Sequence, residues 1–411
     1  MEPPEEITPP AAPAPDGEST PHGILDERRR IVGLVMLGAG IFLLSLGNNV
    51  HVAANTPFLN NVLHATKWQQ SWLEAARESC GILSFFVIAF FVGRSEPRLS
   101  TLMLVLTGAG LGAYYVAGEI WHVLVLSLVW SFGLHMWMPL ANSMQLGLAR
   151  PGREGETLGR MRSVGYAGFL TGVGGAAALN HFFGVQMRPI FLIAGVLTGV
   201  GAIPVLAVPE IRLKSAARMP LARALAPRHR LYCGIELLDG MRKQVFLLFA
   251  PMALVIEYGV PMKTIALLIF ISQVLAMVVA PLAGRAVDRF GERPVLSIYF
   301  ASVFVLFSMY ATIKDVRFLY GIYVIDHAMF VLKVALHTYA GRIAAPGERT
   351  QLLAMGVTMN HIGAVTLPLV GGALYTALGY QFPFYCGMAV AFVSALLVQL
   401  VPPRAPSPRS V

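Results

Sequence analysis

The stretch PLAGRAVDRFGERPVL, residues 281–296, closes one apolar run, turns through a knot of charge and opens the next. A shorter version, FFVGRSEPRL, stands at 90–99, where Gly93-Arg94 matches Gly284-Arg285 at an offset of 191. A second pair repeats at nearly the same distance. GRMRSVGYAGFLTGVGGAA (159–177) lies over AMGVTMNHIGAVTLPLVGG (354–372), with Gly168 opposite Gly363. The chain reads as one plan written twice, the sequence signature of a protein built from two related halves.

Outward from these repeats, apolar runs of about 20 residues recur between short polar breaks, which is the pattern of membrane-spanning helices. Twelve can be drawn, at 31–55, 68–92, 99–119, 121–147, 160–183, 188–208, 230–257, 263–285, 292–313, 315–341, 350–378 and 381–401. The composition agrees: 56% of the 411 residues are hydrophobic and 13% charged, where soluble domains carry about 25% charge. Mean hydropathy is +0.64. The predicted fold is an all-α membrane protein with twelve transmembrane helices in two pseudo-symmetric six-helix bundles. Its divisions are a disordered tail at 1–27, an N-terminal bundle at 28–208, a linker at 209–229, a C-terminal bundle at 230–402 and a second tail at 403–411.

The net charge of +9 invites a nucleic-acid reading, but the positions of the charges exclude it. With the amino terminus inside, the inner segments hold 22 Lys and Arg and the outer ones five; Arg77, Arg242, Lys243 and Lys333 lie within helices. By the positive-inside rule both termini are then cytoplasmic, as expected in a bacterial inner membrane. Cys80, Cys233 and Cys386 are far apart and give neither a metal motif nor a disulfide framework. The first 23 residues are Pro-rich and acidic, and they lack the basic start and apolar core of a signal peptide. The basic linker reads either as a short amphipathic helix on the inner surface or as a solvated connection.

The segment Gly284-x-x-x-Asp288-Arg289-x-Gly291-x-Arg293 resembles the cytoplasmic loop motif of the major facilitator superfamily. In that family the motif follows helix 2 and recurs after helix 8; here the first copy has shrunk to GRSEPR and lacks the Asp-Arg pair. The resemblance implies a latch between the bundles, made from charge pairs and helix-end dipoles, with Gly284, Asp288, Arg289, Gly291 and Arg293 as gating residues. Gly159-x8-Gly168-x3-Gly172 is similar to the helix-5 motif of proton-coupled exporters. Val173, Ala176 and Ala177 replace that motif's Pro and glycines, while helix 11 keeps Pro368-x-x-Gly371-Gly372. Small residues at such spacing also serve ordinary helix packing.

Four charges interrupt the seventh run, in GIELLDGMRKQVF: Glu236, Asp239, Arg242 and Lys243. Each would cost about 2.5–3.5 kcal/mol at a helix centre facing lipid. Asp239 stands three and four residues before Arg242 and Lys243, so pairing along one face is available. The group reads either as a structural network or as the wall of a water-filled path. In the tenth run, Asp326, Phe330, Lys333 and His337 form one stripe with Lys333 near mid-span. If Asp239 pairs locally and Glu74 pairs with Arg77, Lys333 is the least neutralised cation and the leading binding candidate. Substrate-binding candidates are then Lys333, Asn48, His51, Asn142, Arg242, Lys243, His337, Asn360 and His361. Glu78, Glu236, Asp239 and Asp326 are candidates for proton coupling. The family resemblance places helices 1, 4, 7 and 10 around the central cavity.

No nucleotide-binding loop, H-E-x-x-H or G-x-S-x-G occurs, so neither ATP-driven transport nor an enzyme is supported. The expected protein is a secondary active transporter of a small organic solute, working by alternating access. The expectation includes proton coupling, a lean to export and a substrate with an anionic group. Its partners would be that solute, protons and lipid, with no cofactor, no metal site and a single chain as the working unit. The alternatives are a proton antiporter for hydrophobic cations and a non-transporting receptor or scaffold.

Overall fold

A computed structural model describes residues 26–210, 218–345 and 347–404, with backbone alone at 67, 71, 367–374 and 376. Among the described residues, twelve helices occupy the twelve apolar runs and no strand occurs. The first half holds α1 (Glu27–Asn61), α2 (Lys67–Ile82 continued by Ser84–Phe90) and α3 (Glu96–Ala113). It is completed by α4 (Ile120–Leu148), α5 (Glu154–Phe183) and α6 (Met187–Val200 continued by Ala202–Leu206). In the second half, α7 is Pro227–Gln244, a π turn at Val245–Phe249, then Ala250–Ile256. After α8 (Met262–Phe290) and α9 (Glu292–Thr312) comes α10, made of Val316–Met329, a 3-10 turn at Phe330–Lys333, and Val334–Ile343. The chain closes with α11 (Arg349–Leu378) and α12 (Phe382–Val398).

Helices α1, α3, α4, α6, α8, α9 and α10 are long and apolar enough to cross a membrane by length and composition alone. Helices α2, α5, α7 and α11 fall outside that set and carry polar side chains such as Glu78, Arg162, Glu236 and Asn360 toward the centre. Prolines open α3, α7 and α12 (Pro97, Pro227, Pro383), where the missing N–H leaves no orphan. Large apolar side chains such as Phe90, Val196, Val278 and Ile298 point outward, where a water-soluble surface would carry charge.

The sequence repeat has a packing counterpart. A Cβ on Gly168 would lie 2.5 Å from the Phe42 carbonyl oxygen, and one on Gly363 would lie 2.0 Å from that of Leu237. The same helix pair therefore approaches backbone to backbone in each half, α5 on α1 and α11 on α7. The helix-5 glycines that resemble the exporter motif act here as packing surfaces: Gly168 and Gly172 seat α1, and Gly159 seats α8 at Ala280. The Pro368-Gly371-Gly372 side chains lie outside the described residues. The other repeat matches in sequence more than in conformation. Gly93 sits in a turn at φ 81°, Gly284 stays helical, and α8 runs on until Gly291 (φ 84°) ends it.

In the linker, the described part holds one helical turn, Leu221–Ala224, and the stretch before it where an amphipathic helix was one expectation lies partly outside the described residues. Residues 211–217, most of both tails and position 346 lie outside the described residues. Met219 and Ala224 are buried, and Arg223 and Arg228 pair with Glu348 before α11, which ties the linker to the second half.

Candidate functional site: a polar cavity between the halves

The halves meet along α5–α8 and along α2 and α4 against α11. Both contacts are sealed on the face bearing the basic loops. Asp288 accepts from the backbone N–H of Gly155 (2.8 Å) and Glu156 (2.7 Å), in the first turn of α5. A carboxylate at a helix N-terminus meets both the free amides and the positive end of the dipole. Arg404 reaches Glu154 (2.7 Å) and Arg285 reaches Glu156 (3.3 Å) across the same seam. Gly284 and Gly155 allow the approach, because a Cβ on Gly284 would lie 2.1 Å from the Gly155 carbonyl oxygen.

Two of the five gating candidates lie elsewhere. Arg289 is exposed and stacks on its neighbour Phe290, while Arg293 bonds Gln399 within the second half. Gly291 contributes the turn. At the second seam Glu96, inside the shortened GRSEPR copy, accepts from Ser143 (2.8 Å) and from Thr350 in the first turn of α11. The sequence reading missed this role, because the Asp-Arg pair it sought is absent; an acid beside a helix start was the available signal.

Above the seams a cavity of about 550 Å³ separates the halves. Helix α4 contributes Asn142 and Gln145, α5 Arg162, and α7 Glu236 and Lys243; α8 adds Gln273, α10 Lys333 and His337, and α11 Asn360 and His361. Helix α1 lines it with Ile41 and Ser45 in place of the expected Asn48 and His51. His51 is buried instead inside the first half, against Tyr114, Trp130 and Phe191, with both ring nitrogens unpartnered. The Asn48 side-chain oxygen is likewise buried and unpartnered.

The charges pair across helices more than along them. Lys333 donates to Asp239 (2.7 Å) and Glu236 (3.0 Å), so the cation expected to be least neutralised has two carboxylates. Asn360 donates to the same pair (3.0 and 3.3 Å), and the Tyr299 hydroxyl donates to Asp239 (2.7 Å). Arg242 pairs with Asp326, both wholly buried. The guanidinium packs over Phe330 (4.1 Å) and Tyr299 (5.3 Å), away from the cavity. Neither side chain lines the cavity, where substrate contact was expected of Arg242 and proton carriage of Asp326. Their side chains tie α7 to α10 in an aromatic shell.

Two cations are left over. Among the described residues, neither Lys243 nor Arg162 forms an ion pair; Arg162 lies beside Tyr166 and 3.1 Å from His337 Nδ1, which also faces the Lys333 carbonyl at 3.2 Å. Arg162 was missed as a site residue, since it was counted with the inner loop. The Pro151-Gly152 turn and the acids Glu154 and Glu156 mark an earlier helix start, which carries Arg162 into the cavity.

Where α2 breaks at Leu83, Thr358 of α11 repairs both loose ends: its hydroxyl donates to Ile82 C=O and accepts from Phe85 N–H, each at 3.0 Å. One turn away, Glu78 accepts from His361 Nδ1 across the halves (2.9 Å) and from Arg77 (3.1 Å). Arg77 also pairs with Glu74, as the spacing predicts.

Comparison with known proteins completes the assignment. Over 130 residues the chain is 30% identical to a probable vesicular acetylcholine transporter-A of Danio rerio, which covers 30% of this chain. The match spans a quarter of that relative's length. The fold matches FucP in its outward conformation with a TM-score of 0.74 at 15% identity, over 91% of this chain and 100% of the other. It matches the human organic anion transporter MFSD10 at 0.68 and 14%, with the same coverage. A family model described as Major Facilitator Superfamily matches residues 37–229 and 232–411. With this match running through both halves, the chain belongs to the Major Facilitator Superfamily.

Proposed function

We propose that the chain moves a small organic anion through the central cavity, coupled to protons, with the basic face toward the cytoplasm. The observation that carries the anion is the pair Lys243 and Arg162, cations in the cavity wall that form no ion pair among the described residues. An unmatched charge at membrane depth costs about 2.5–3.5 kcal/mol, and a bound anion offsets that cost directly. The two groups belong to opposite halves, so one substrate touching both would feel the halves close.

Glu236 and Asp239 share the single ammonium of Lys333. Asp239 also receives the Tyr299 hydroxyl, whereas Glu236 faces the cavity. A proton entering from the cavity therefore reaches Glu236, and once there it leaves Lys333 and Asp239 as a neutral pair. Uptake and release of that proton change the wall charge by one unit, which is the coupling step of this reading.

The test is ligand-dependent thermal stability in detergent, followed by flux into proteoliposomes, with a panel of organic anions, cations and amphiphiles. A ligand selective for the folded state raises the melting temperature in proportion to its affinity. Lys243→Gln and Arg162→Gln should each weaken anion binding about 10- to 150-fold, the value of a charge-assisted hydrogen bond of about 1.5–3 kcal/mol. Glu236→Gln should retain binding and lose the response of flux to a pH gradient. Stabilisation by hydrophobic cations alone, tightened by Lys243→Gln, would replace this reading with a cation antiporter.

A further inference from the structure

Glu78, His135 and His361 come from three helices, α2, α4 and α11, and from both halves. One potential ligand atom from each lies within 4.8 Å of the others. No sequence spacing joins them, so only the fold brings them together. His135 Nδ1 bonds the Ser131 carbonyl at 2.7 Å, and Ser131 in turn bonds the Arg77 carbonyl at 2.8 Å. Since a carbonyl oxygen can only accept, Nδ1 carries the proton and the lone pair is left on Nε2. That is the second-shell arrangement of metal-binding histidines. The rings of His135 and His361 meet edge to face at 4.6 Å.

We propose that these three side chains bind a divalent transition-metal cation, of the zinc or cobalt class, which ties the halves together at this level. Two nitrogens and a carboxylate suit such an ion, with a fourth position left for water or an anion. Ligand bonds of about 2.0–2.2 Å put tetrahedral ligand atoms roughly 3.4 Å apart. Glu78 and His361 Nδ1 are 2.9 Å apart through a hydrogen bond, so the ion would take the place of that proton, which moves to Nε2 of His361, and the three ligand atoms, all within 4.8 Å, would adjust to that spacing. Charge also permits it. Arg77 is flanked by Glu74 and Glu78, which leaves one carboxylate charge that the incoming cation would share with the nearby Lys243. His361 lines the cavity, and this supplies the entry path. Lys243 lies within electrostatic reach of both Glu78 and His361 and opposes the ion.

The site is independent of which solute is carried, and its test needs no substrate. Cobalt(II) would be titrated into untagged protein in detergent, read by its visible absorption and by calorimetry, with zinc as competitor. The expected result is one equivalent per chain with the intense bands of a four-coordinate ion. His135→Ala and His361→Ala should each weaken binding at least about 10-fold. Lys243→Gln should tighten it, a sign that a merely structural lysine would not give. Binding that survives in His135→Ala/His361→Ala would mean an adventitious ion only, held by surface histidines, and would overturn the proposal; so would no binding to the wild type at millimolar cobalt. Should the alanine variants fail to fold, His135→Cys decides the matter: a cobalt–thiolate charge-transfer band supports the site, and its absence with folded protein rejects it.

Discussion

Gly284→Ala adds one methyl group at the tightest point of the α5–α8 seam. The new Cβ would fall 2.1 Å from the Gly155 carbonyl oxygen, 2.6 Å from its carbon and 3.0 Å from Glu156 Cα. All three are backbone atoms, so no flexible side chain can yield. Because real Cβ contacts stay beyond 3.0 Å, the helices must separate by about 1 Å. Overpacking of that size costs about 1–3 kcal/mol. The cost arises only while the seam is closed, so it shifts the equilibrium toward a conformation open on the basic face. The shift is about 5- to 150-fold in population. Leu146 reports on it, since it is buried against Gly341 of the other half. In a background lacking Cys80, Cys233 and Cys386, alkylation of Leu146→Cys should speed up by that factor when Gly284→Ala is added. Gly174→Ala is the control, as open space surrounds that position. An unchanged alkylation rate together with an unchanged melting temperature would refute the reasoning, because it would mean the two backbones are not in contact.

Asp288→Asn keeps the shape but removes the charge facing the α5 amides; a loss of about 1.5–3 kcal/mol of charge-assisted bonding should change turnover in flux assays while equilibrium substrate affinity holds. Arg242→Met and Asp326→Leu should each destabilise by about 3–5 kcal/mol, since each strands a fully buried charge, and the double variant should recover most of the loss in chemical unfolding. Lys333→Ala should lower the melting temperature, because it leaves Asp239 and Glu236 unmatched, and Lys333→Ala/Asp239→Asn should restore part of it. Recovery of structure without flux in that double variant would separate the structural part of Lys333 from its part in transport.

The spans were legible because lipid leaves a chain few options: about twenty apolar residues, repeated, with basic residues in alternate breaks. The seam was partly legible, since Asp288 and Gly284 stand in a recognisable order. What spacing could not reveal was partnership between helices. Asp239 has Arg242 and Lys243 as neighbours along its own helix, yet Lys333 on α10 takes it, because the inward faces of α7 and α10 meet there. That exchange reverses the electrostatic reading of the cavity. Lys333 is matched, Lys243 is not, and Arg162 enters from a helix that begins earlier than its apolar run. The proposal of a substrate with an anionic group therefore rests on Lys243 and Arg162 and no longer on Lys333.

The irregular turns in α7 and α10 have a mechanical consequence. A π turn directly follows Gln244, beside Lys243, and a 3-10 turn ends at Lys333 itself. Their counterparts in the first half, α1 and α4, are continuous α-helix across the cavity level. Residues in such turns can change register at little cost, and each step rotates everything beyond it about the helix axis. One half can thus act as an anvil while the other flexes at the very residues that carry its charge. The two bundles share an architecture but not the regularity of the helices that line it.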